Sequence, residues 1–195
     1  MPDGITWYWL AVPLRMAVEA RIFLHGAILM KLSHLAAAAF SVAFIATAHA
    51  QASKKDQEFL TQAAAGGLYE VEAGKLAQGK ASSDRVKSFG SILVKDHEIA
   101  NDELKQLARS KEVSLPTAIP ADKQLRLDEL VIAKNFDREF LQEVGLDDHT
   151  SDISLFEKAS RDSDDSAVQA FARKNLPMLK AHRKQAESLQ NSLGK

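Results

Sequence analysis

The stretch EVSLPTAIPADKQLRLDELVIAKN, residues 112–135, decides how the rest of the chain can fold. Pro116 and Pro120 prevent a continuous helix over its first part, because proline lacks an amide hydrogen and clashes with the preceding turn. The remainder predicts a short helix from Ala121 to about Ala133, opening just after Pro120. About ten extended residues plus this helix reach roughly 50 Å. The stretch is therefore long enough to run the full length of a helical bundle.

Four long amphipathic helices flank this link, two on each side. Apolar residues three and four apart predict helices over about 56–80, about 84–111 with a cap at Ser82 or Ser83, about 136–160 and about 165–193. Short turns join the first to the second and the third to the fourth, so each pair is antiparallel. A helix of about 27 residues is roughly 40 Å long, which the link can cross. The prediction is an all-α, ferritin-like four-helix bundle with a long crossover, carrying a short helix, between helices 2 and 3.

The segment MKLSHLAAAAFSVAFIATAHA, residues 30–50, has the pattern of a secretory signal peptide. A lysine precedes a run of apolar residues, and the small residues Ala48 and Ala50 predict cleavage after Ala50. The alternative is an uncleaved anchor that begins near Ile22. The apolar run from residue 35 to 46 is shorter than the about 20 residues that cross a bilayer, which favours the signal peptide.

The chain thus divides into three segments: residues 1–29, interpreted as upstream sequence before a start at Met30, the signal peptide 30–50, and one helical domain, 51–195. The whole chain has 25 lysines and arginines interspersed with 26 acidic residues, so no basic surface for nucleic acid stands out. Cysteine is absent, so the exported domain must fold without disulfides. The predicted location is the periplasm or the cell envelope.

Three histidines of the predicted domain fall on the inward faces of three different helices. His97 occupies a position of the apolar stripe in the second helix, His149 lies in the third and His182 in the fourth. The first helix supplies Glu70 on a face of small residues, and Glu72 is a second candidate. Imidazole and carboxylate groups from facing helices suit iron, manganese or zinc, so a transition-metal centre is one interpretation.

Asp96 and Asp148 each directly precede one of these histidines, and this spacing argues against a di-iron centre. Such centres place a carboxylate three residues before a histidine on the same helical face. The residues at that offset here are apolar: Val94, Leu146 and Leu179. Adjacent residues point about 100° apart on a helix, so Asp96 or Asp148 is expected to orient a histidine of a neighbouring helix rather than share its ion.

Axial positions argue against a single site shared by all four helices. Measured from the turn between helices 3 and 4, His149 and His182 lie about 16 and 26 Å along their helices, so they would miss each other unless a kink at Pro177 or different helix boundaries change the register. Structural hydrogen bonding is therefore the leading interpretation of the three histidines, because a buried polar group without a partner costs ~1 to 3 kcal/mol. Metal binding ranks second and acid–base catalysis third.

Several stretches of the domain, taken together over about residues 55–190, resemble a known bacterial family. They are FLTQAAAGGLYEVEAGKLAQGKASSDRVKSFGSILVKDHEIANDEL, then NFD, DDH, LFEKAS and LPMLKAH. The combination is similar to the domain of unknown function 4142 family, whose members are exported, ferritin-like in fold and often labelled outer-membrane proteins. The resemblance implies this fold and compartment but no established reaction. Its recurring polar positions correspond to Glu70, Asp96, His97, Asp137, Asp148, His149 and His182.

Two functional hypotheses follow from these residues. The first is a non-enzymatic, ferritin-like bundle of the cell envelope with a stress-related role, whose interior polar cluster fixes the register of the helices. The second is a periplasmic metal-binding or redox protein, in which a transition-metal ion is held by residues drawn from Glu70, His97, His149, His182, Asp96 and Asp148. Neither hypothesis names a substrate, a partner protein or an oligomeric state.

Overall fold

The structure is a computed structural model that describes residues 51–193, and helices occupy nearly all of them without any strand in that range. In chain order they are α1 (Lys54–Lys80), α2 (Asp84–Ser110), α3 (Ala121–Ile132), α4 (Phe136–Phe140), a π-helical segment (Leu141–Asp148), α5 (His149–Asp162) and α6 (Ser166–Leu193). None of these helices has the length and apolar composition needed to cross a bilayer. The predicted upstream segment 1–29 and signal peptide 30–50 lie outside the described residues.

The third long helix is built from α4, the π-helical segment and α5. The residues at both junctions keep right-handed helical backbone angles, so the three parts follow one another without a break. Helix α6 likewise runs as one helix from Ser166 to Leu193, although Pro177 lies inside it. Residues 51–193 therefore contain four long helices, as the sequence predicted.

Two apolar clusters at opposite ends of the bundle fix the directions of the four long helices. One cluster unites the start of α1, the end of α2, the end of α5 and the start of α6 through Phe59, Leu104, Phe156 and Phe171. The other unites the end of α1, the start of α2, α4 and the end of α6 through Ala77, Val86, Phe140 and Ala186. Helix α2 and the third long helix start at the same end and run parallel. The predicted crossover between them is confirmed.

The crossover helix α3 is fastened to the bundle by Arg126. Its Nε donates to Oε1 of Glu143 at 2.5 Å, while Nη1 and Nη2 donate to the two carboxylate oxygens of Asp148 at 2.6 and 3.0 Å. The guanidinium carbon also lies 5.2 Å from the centre of the Tyr69 ring. These paired, charge-assisted hydrogen bonds fix the position of α3 on the third long helix.

The start of α2 is capped from outside the helix, which corrects the expectation that Ser82 or Ser83 supplies the cap. Ser83 is the N-terminal boundary residue, but its side chain makes no capping hydrogen bond. Instead, the carboxylate of Asp137 accepts hydrogen bonds from the backbone amides of Ser82 and Ser83 at 2.9 and 2.8 Å. A carboxylate satisfies two unpaired amides and complements the positive end of the helix dipole, so it replaces the hydroxyl cap.

Helices α1 and α2 approach each other at a pair of glycines. A Cβ atom added at Gly74 would lie 2.7 Å from the carbonyl oxygen of Gly90, a backbone atom that cannot swing away. Gly79, in the same helix, faces open space, with no atom within 4 Å of an added Cβ. The close approach of the two backbones therefore depends on Gly74 and Gly90.

Alanine substitutions at Gly74 and at Gly79 of α1 should change stability in opposite directions. Gly74→Ala is expected to destabilise the fold by about 1 to 3 kcal/mol, because the new methyl group overpacks the α1–α2 contact. Gly79→Ala is expected to stabilise it by up to about 1 kcal/mol, since alanine is the better helix former and nothing is displaced. Urea denaturation of both variants measures the two changes, and equal shifts would contradict the described packing.

Candidate metal centre

Four polar side chains form a layer across the middle of the bundle, one from each long helix. They are Glu70 of α1, His97 of α2, His149 at the start of α5 and His182 of α6. None is more than 3% exposed. The layer lies between the two apolar clusters, because each residue falls in the sequence between members of one cluster and members of the other. The amphipathic pattern that buries the helices thus also buries these four groups.

The carboxyl group of Glu70 contacts two of the histidines. Its Oε2 lies 3.0 Å from Nδ1 of His97, and its Oε1 lies 3.3 Å from Nδ1 of His149. Oε1 has no hydrogen bond among residues 51–193, so Oε2 is the hydrogen-bonded oxygen of the pair. Glu70 therefore positions His97 through Oε2.

The other two imidazoles are held by acceptors of their own. Nδ1 of His149 lies 2.8 Å from the carbonyl oxygen of Val144, in the π-helical segment, and Nε2 of His182 lies 2.9 Å from Oδ2 of Asp96. The remaining nitrogens of the two rings, Nε2 of His149 and Nδ1 of His182, face each other at 3.2 Å.

These acceptors assign the tautomers. A carbonyl or a carboxylate accepts a hydrogen, so His149 carries its hydrogen on Nδ1 and His182 on Nε2. In the neutral rings, the two nitrogens that face each other at 3.2 Å are then both acceptors. The third ring has the same arrangement, since Nδ1 of His97 faces Glu70 while its Nε2 is buried without a hydrogen-bond partner in the described part of the chain. The three rings and their acceptors therefore present more lone pairs than there are N–H groups to bond to them.

The electrostatic environment keeps the three rings neutral. Burial lowers the pKa of His97 well below its usual value, and the neighbouring His149 and His182 lower it further. Burial lowers the pKa of His149 to about 4, against the raising effect of the Val144 carbonyl. The pKa of His182 is also lowered by burial, although Asp96 opposes the shift. Neutral imidazole is the form that binds a metal, so no proton has to leave these rings near neutral pH.

The spacing of the ring nitrogens fits a single ion. One nitrogen from each of the three histidines lies within 4.8 Å of the other two. Metal–imidazole bonds of about 2.0 to 2.1 Å in tetrahedral geometry place the nitrogens about 3.3 Å apart. The 3.2 Å between His149 and His182 already matches that value. A nitrogen of His97 lies within 4.8 Å of both, so the residues present fit a three-imidazole metal site.

One protein-family model matches this chain over most of its length. The family model described as "Domain of unknown function (DUF4142)" matches residues 43–189, most of the chain. The chain belongs to the DUF4142 family. No curated protein sequence matches it.

Solved structures with similar folds include copper-bound proteins. CopM in the Cu(I)-bound form matches this DUF4142 chain with a TM-score of 0.61 at 18% identity, over 71% of this chain and 96% of CopM. CopM in the Cu(II)-bound form gives 0.59 at 17% identity, over 71% and 97%. A DUF305 fragment from Deinococcus radiodurans gives 0.64 at 10% identity, over 73% and 99%. At such identities the likeness establishes the helical fold alone.

The prediction that the axial positions separate His149 from His182 is wrong, since their rings meet. The helix boundaries explain the difference. The third long helix ends at Asp162 and α6 begins at Ser166, so the turn is shorter than expected. Counted from these ends, the two histidines lie about 20 and 24 Å along their helices. A difference of this size is within the reach of two side chains.

Of the aspartates and the glutamate considered as further site residues, Asp96 lies at the centre, whereas Asp148 and Glu72 pair with other residues. Asp96 orients His182 of a neighbouring helix, as expected for a residue adjacent to a histidine that points elsewhere. Asp148, the other such residue, instead pairs with Arg126 of the crossover helix. Glu72 is exposed and pairs with Lys75 on the surface. The metal-binding role of Glu70 and the three histidines stays a prediction.

Asp152 is a site residue that the sequence interpretation missed. Its carboxyl group interacts directly with Glu70, and burial raises its pKa to about 6. The pKa of Glu70 is raised well above its usual value by burial, then by Asp152 and Asp148. The available signal was the offset of three residues after His149, on the same helical face, whereas only the offset before each histidine was considered.

His149 provides a pH test of this geometry in metal-free protein. Its imidazole is expected to stay neutral, with the hydrogen on Nδ1, down to a pH of about 4. In the unfolded chain a histidine takes up its proton near pH 6.5, so His149 contributes stability at neutral pH that is lost as the pH falls through this window. Ring nitrogen chemical shifts measured by NMR from pH 7.5 downward report the tautomer and the titration. Protonation of His149 near pH 6.5 in the folded protein would contradict the described burial.

Proposed function

We propose that this DUF4142 domain binds a transition-metal ion, copper first among them, through His97, His149 and His182. One observation carries the proposal. His149 and His182 each direct one nitrogen at an oxygen acceptor and the other at each other, and His97, held by Glu70, brings a nitrogen within 4.8 Å of both. Metal-binding histidines are held in this way, because the outer hydrogen bond fixes the tautomer and the orientation of the ring.

The donor set supports copper over the hard cations. Imidazole suits zinc, copper, iron and nickel, whereas magnesium and calcium prefer oxygen donors. Among divalent first-row ions, a nitrogen site generally binds copper most tightly. The structural likeness to CopM in its Cu(I)-bound and Cu(II)-bound forms points the same way, although those ions are bound by CopM. Zinc is the ion against which the choice has to be tested.

The residues around the rings have distinct tasks in this proposal. Asp96 and the Val144 carbonyl orient His182 and His149, and Glu70 orients His97. The two apolar clusters exclude bulk water from both sides of the layer. A bound copper ion would supply one-electron redox capacity, and the protein would supply a buried position for it. Holding or transferring the ion is the function that this burial favours.

The alternative hypothesis is that the polar layer only fixes the register of the helices in an envelope protein. A network selected for register would be expected to pair its buried atoms, since an unpaired one costs ~1 to 3 kcal/mol. Nε2 of His97 is unpaired, and the rings of His149 and His182 oppose two acceptors. An ion removes both defects. The geometry therefore favours metal binding over a purely structural layer.

The purified protein, stripped of metal, is expected to bind one equivalent of Cu(II) or of Ag(I), the latter as a redox-inert probe for Cu(I). The electron paramagnetic resonance spectrum of the Cu(II) form should show hyperfine coupling to imidazole nitrogens. His97→Leu removes one donor and should abolish stoichiometric binding while the bundle still folds, because leucine suits an apolar core position. Calorimetric titration measures copper binding by the wild-type protein and by His97→Leu. Undiminished copper binding by His97→Leu would overturn the proposed centre.

Two aspartates of α2 form a matched control pair. Asp96→Asn weakens the hydrogen bond that orients His182, and loss of such an outer partner typically costs about 10- to 100-fold in affinity. Asp102→Asn removes the same charge from an exposed position, where Asp102 pairs with Lys105. Copper affinity should fall in the first variant and stay unchanged in the second. An equal loss in both would mean that overall charge, not ring orientation, controls binding.

We also propose that the domain is exported, because residues 30–50 have the composition of a cleavable signal peptide. Mass spectrometry of protein purified from cells of its natural source is expected to find Gln51 at the N-terminus. An N-terminus at or before Met30 would instead favour the uncleaved anchor. This measurement is independent of the metal titrations.

A further inference from the structure

A small pocket adjoins the metal centre on the side of the apolar cluster that contains Phe156 and Phe171. It has a volume of about 20 Å³, close to the size needed for a single water molecule or ion. His97 and Glu70 line it, whereas His149 and His182 do not. The pocket is therefore a separate space from the point where the three imidazoles converge.

Oxygen-bearing side chains from all four long helices line this pocket. They are Glu70 of α1, Asn101 of α2, Asp152 of α5 and Asn175 of α6. The Nδ2 atom of Asn175 donates to the carbonyl oxygen of Phe171 at 2.9 Å, so the amide oxygen is the end of that side chain left for a ligand. The donors are two carboxyl groups and two amides, without a nitrogen that must lose a proton.

A glycine of α1 makes room for one of these groups. A Cβ atom at Gly67 would lie 2.0 Å from the amide oxygen of Asn101, so any side chain there would displace it. A Cβ atom at Gly66 would lie 3.5 Å from both carboxylate oxygens of Asp152. That distance is an ordinary van der Waals contact, so Gly67 is the glycine on which the position of Asn101 depends.

One buried atom at the pocket lacks a partner. Oε1 of Glu70 has no hydrogen bond among residues 51–193, and the residue is 1% exposed. Nδ1 of His149 lies 3.3 Å away but directs its hydrogen at the Val144 carbonyl. The carboxyl group of Asp152 interacts with Glu70, and the two groups can bond to each other only by sharing a proton, because ionised carboxylates accept but do not donate. A divalent cation in the pocket would take the place of that proton and offset the charge of the two carboxylates that bind it.

We propose that this pocket is a second metal site, for a hard divalent cation such as Mn(II), bound by Glu70, Asp152, Asn101 and Asn175. Carboxylate and amide oxygens suit such ions, whereas the adjacent imidazoles suit copper or zinc. Glu70 contacts both sites, because its Oε2 lies 3.0 Å from Nδ1 of His97 and its side chain lines the pocket. The inference goes beyond the proposed copper centre and stands without it, because the pocket donors do not include His149 or His182.

Met178 also lines the pocket and supplies the competing interpretation. A thioether suits a soft ion such as Cu(I) or Ag(I), and such an ion would use Met178 in preference to the amides. Oxygen donors outnumber the single sulfur, which is why a hard cation is proposed. Met178→Leu and Asp152→Asn separate the two, since each removes the donor that only one class of ion needs.

The experiment is a titration of the purified, metal-free full chain with Mn(II) alone, followed by the loss of the free-ion electron paramagnetic resonance signal. Wild-type protein is expected to bind one equivalent. Asp152→Asn should weaken binding by about tenfold or more, and Gly67→Ala should do so by displacing Asn101. Met178→Leu and His182→Gln should leave Mn(II) binding unchanged. Thermal unfolding of each variant confirms that it folds.

Three outcomes would overturn the second site. Absence of Mn(II) binding by the wild type would mean that the carboxyl groups share only a proton and a water. Undiminished binding by Asp152→Asn would place the ion elsewhere. Loss of Mn(II) binding in His182→Gln would place it among the imidazoles. Copper binding is measured separately on the same variants, so failure of the copper centre and failure of the Mn(II) site give different patterns.

Discussion

The burial of one carboxyl group between two apolar clusters is the constraint on which the rest of the structure depends. Glu70 sits where four helices meet, 1% exposed, with one oxygen against His97 and the other without a hydrogen-bond partner in the described chain. Burying such a group is costly unless partners or an ion compensate for the lost water. The polar layer around it follows from this demand, since His97, His149 and Asp152 all turn toward the same carboxyl group.

The periodicity of the sequence was sufficient to predict the inward direction of Glu70 and the three histidines, because helical spacing alone decides which face is buried. The length of residues 112–135 was sufficient to predict the crossover. Two features depend on contacts between distant helices and leave no local pattern. One is Asp137, which caps α2 from the third long helix. The other is the axial match of His149 and His182, which depends on helix ends that shift by a few residues.

The π-helical segment directly before His149 shows how local backbone serves the centre. The carbonyl of Val144 lies in this segment and accepts from the His149 ring five residues later. π-Helical turns inside α-helices are rare and are frequently found at functional sites. Here the Val144 carbonyl fixes the tautomer of His149, whose Nε2 lies 3.2 Å from Nδ1 of His182. A purely structural layer gives no reason for two acceptors to face each other, whereas a metal site does.

The distribution of the centre over four helices has a consequence for the order of events in the cell. Its members extend from position 70 to position 182, so no fragment that lacks either end of this range contains the complete set. An ion can meet three imidazoles at once only after the bundle has closed. If the chain crosses a membrane unfolded, the ion it acquires is drawn from the compartment in which folding finishes. The supply of metals in that compartment, rather than in the one where the ribosome works, would then choose the occupant.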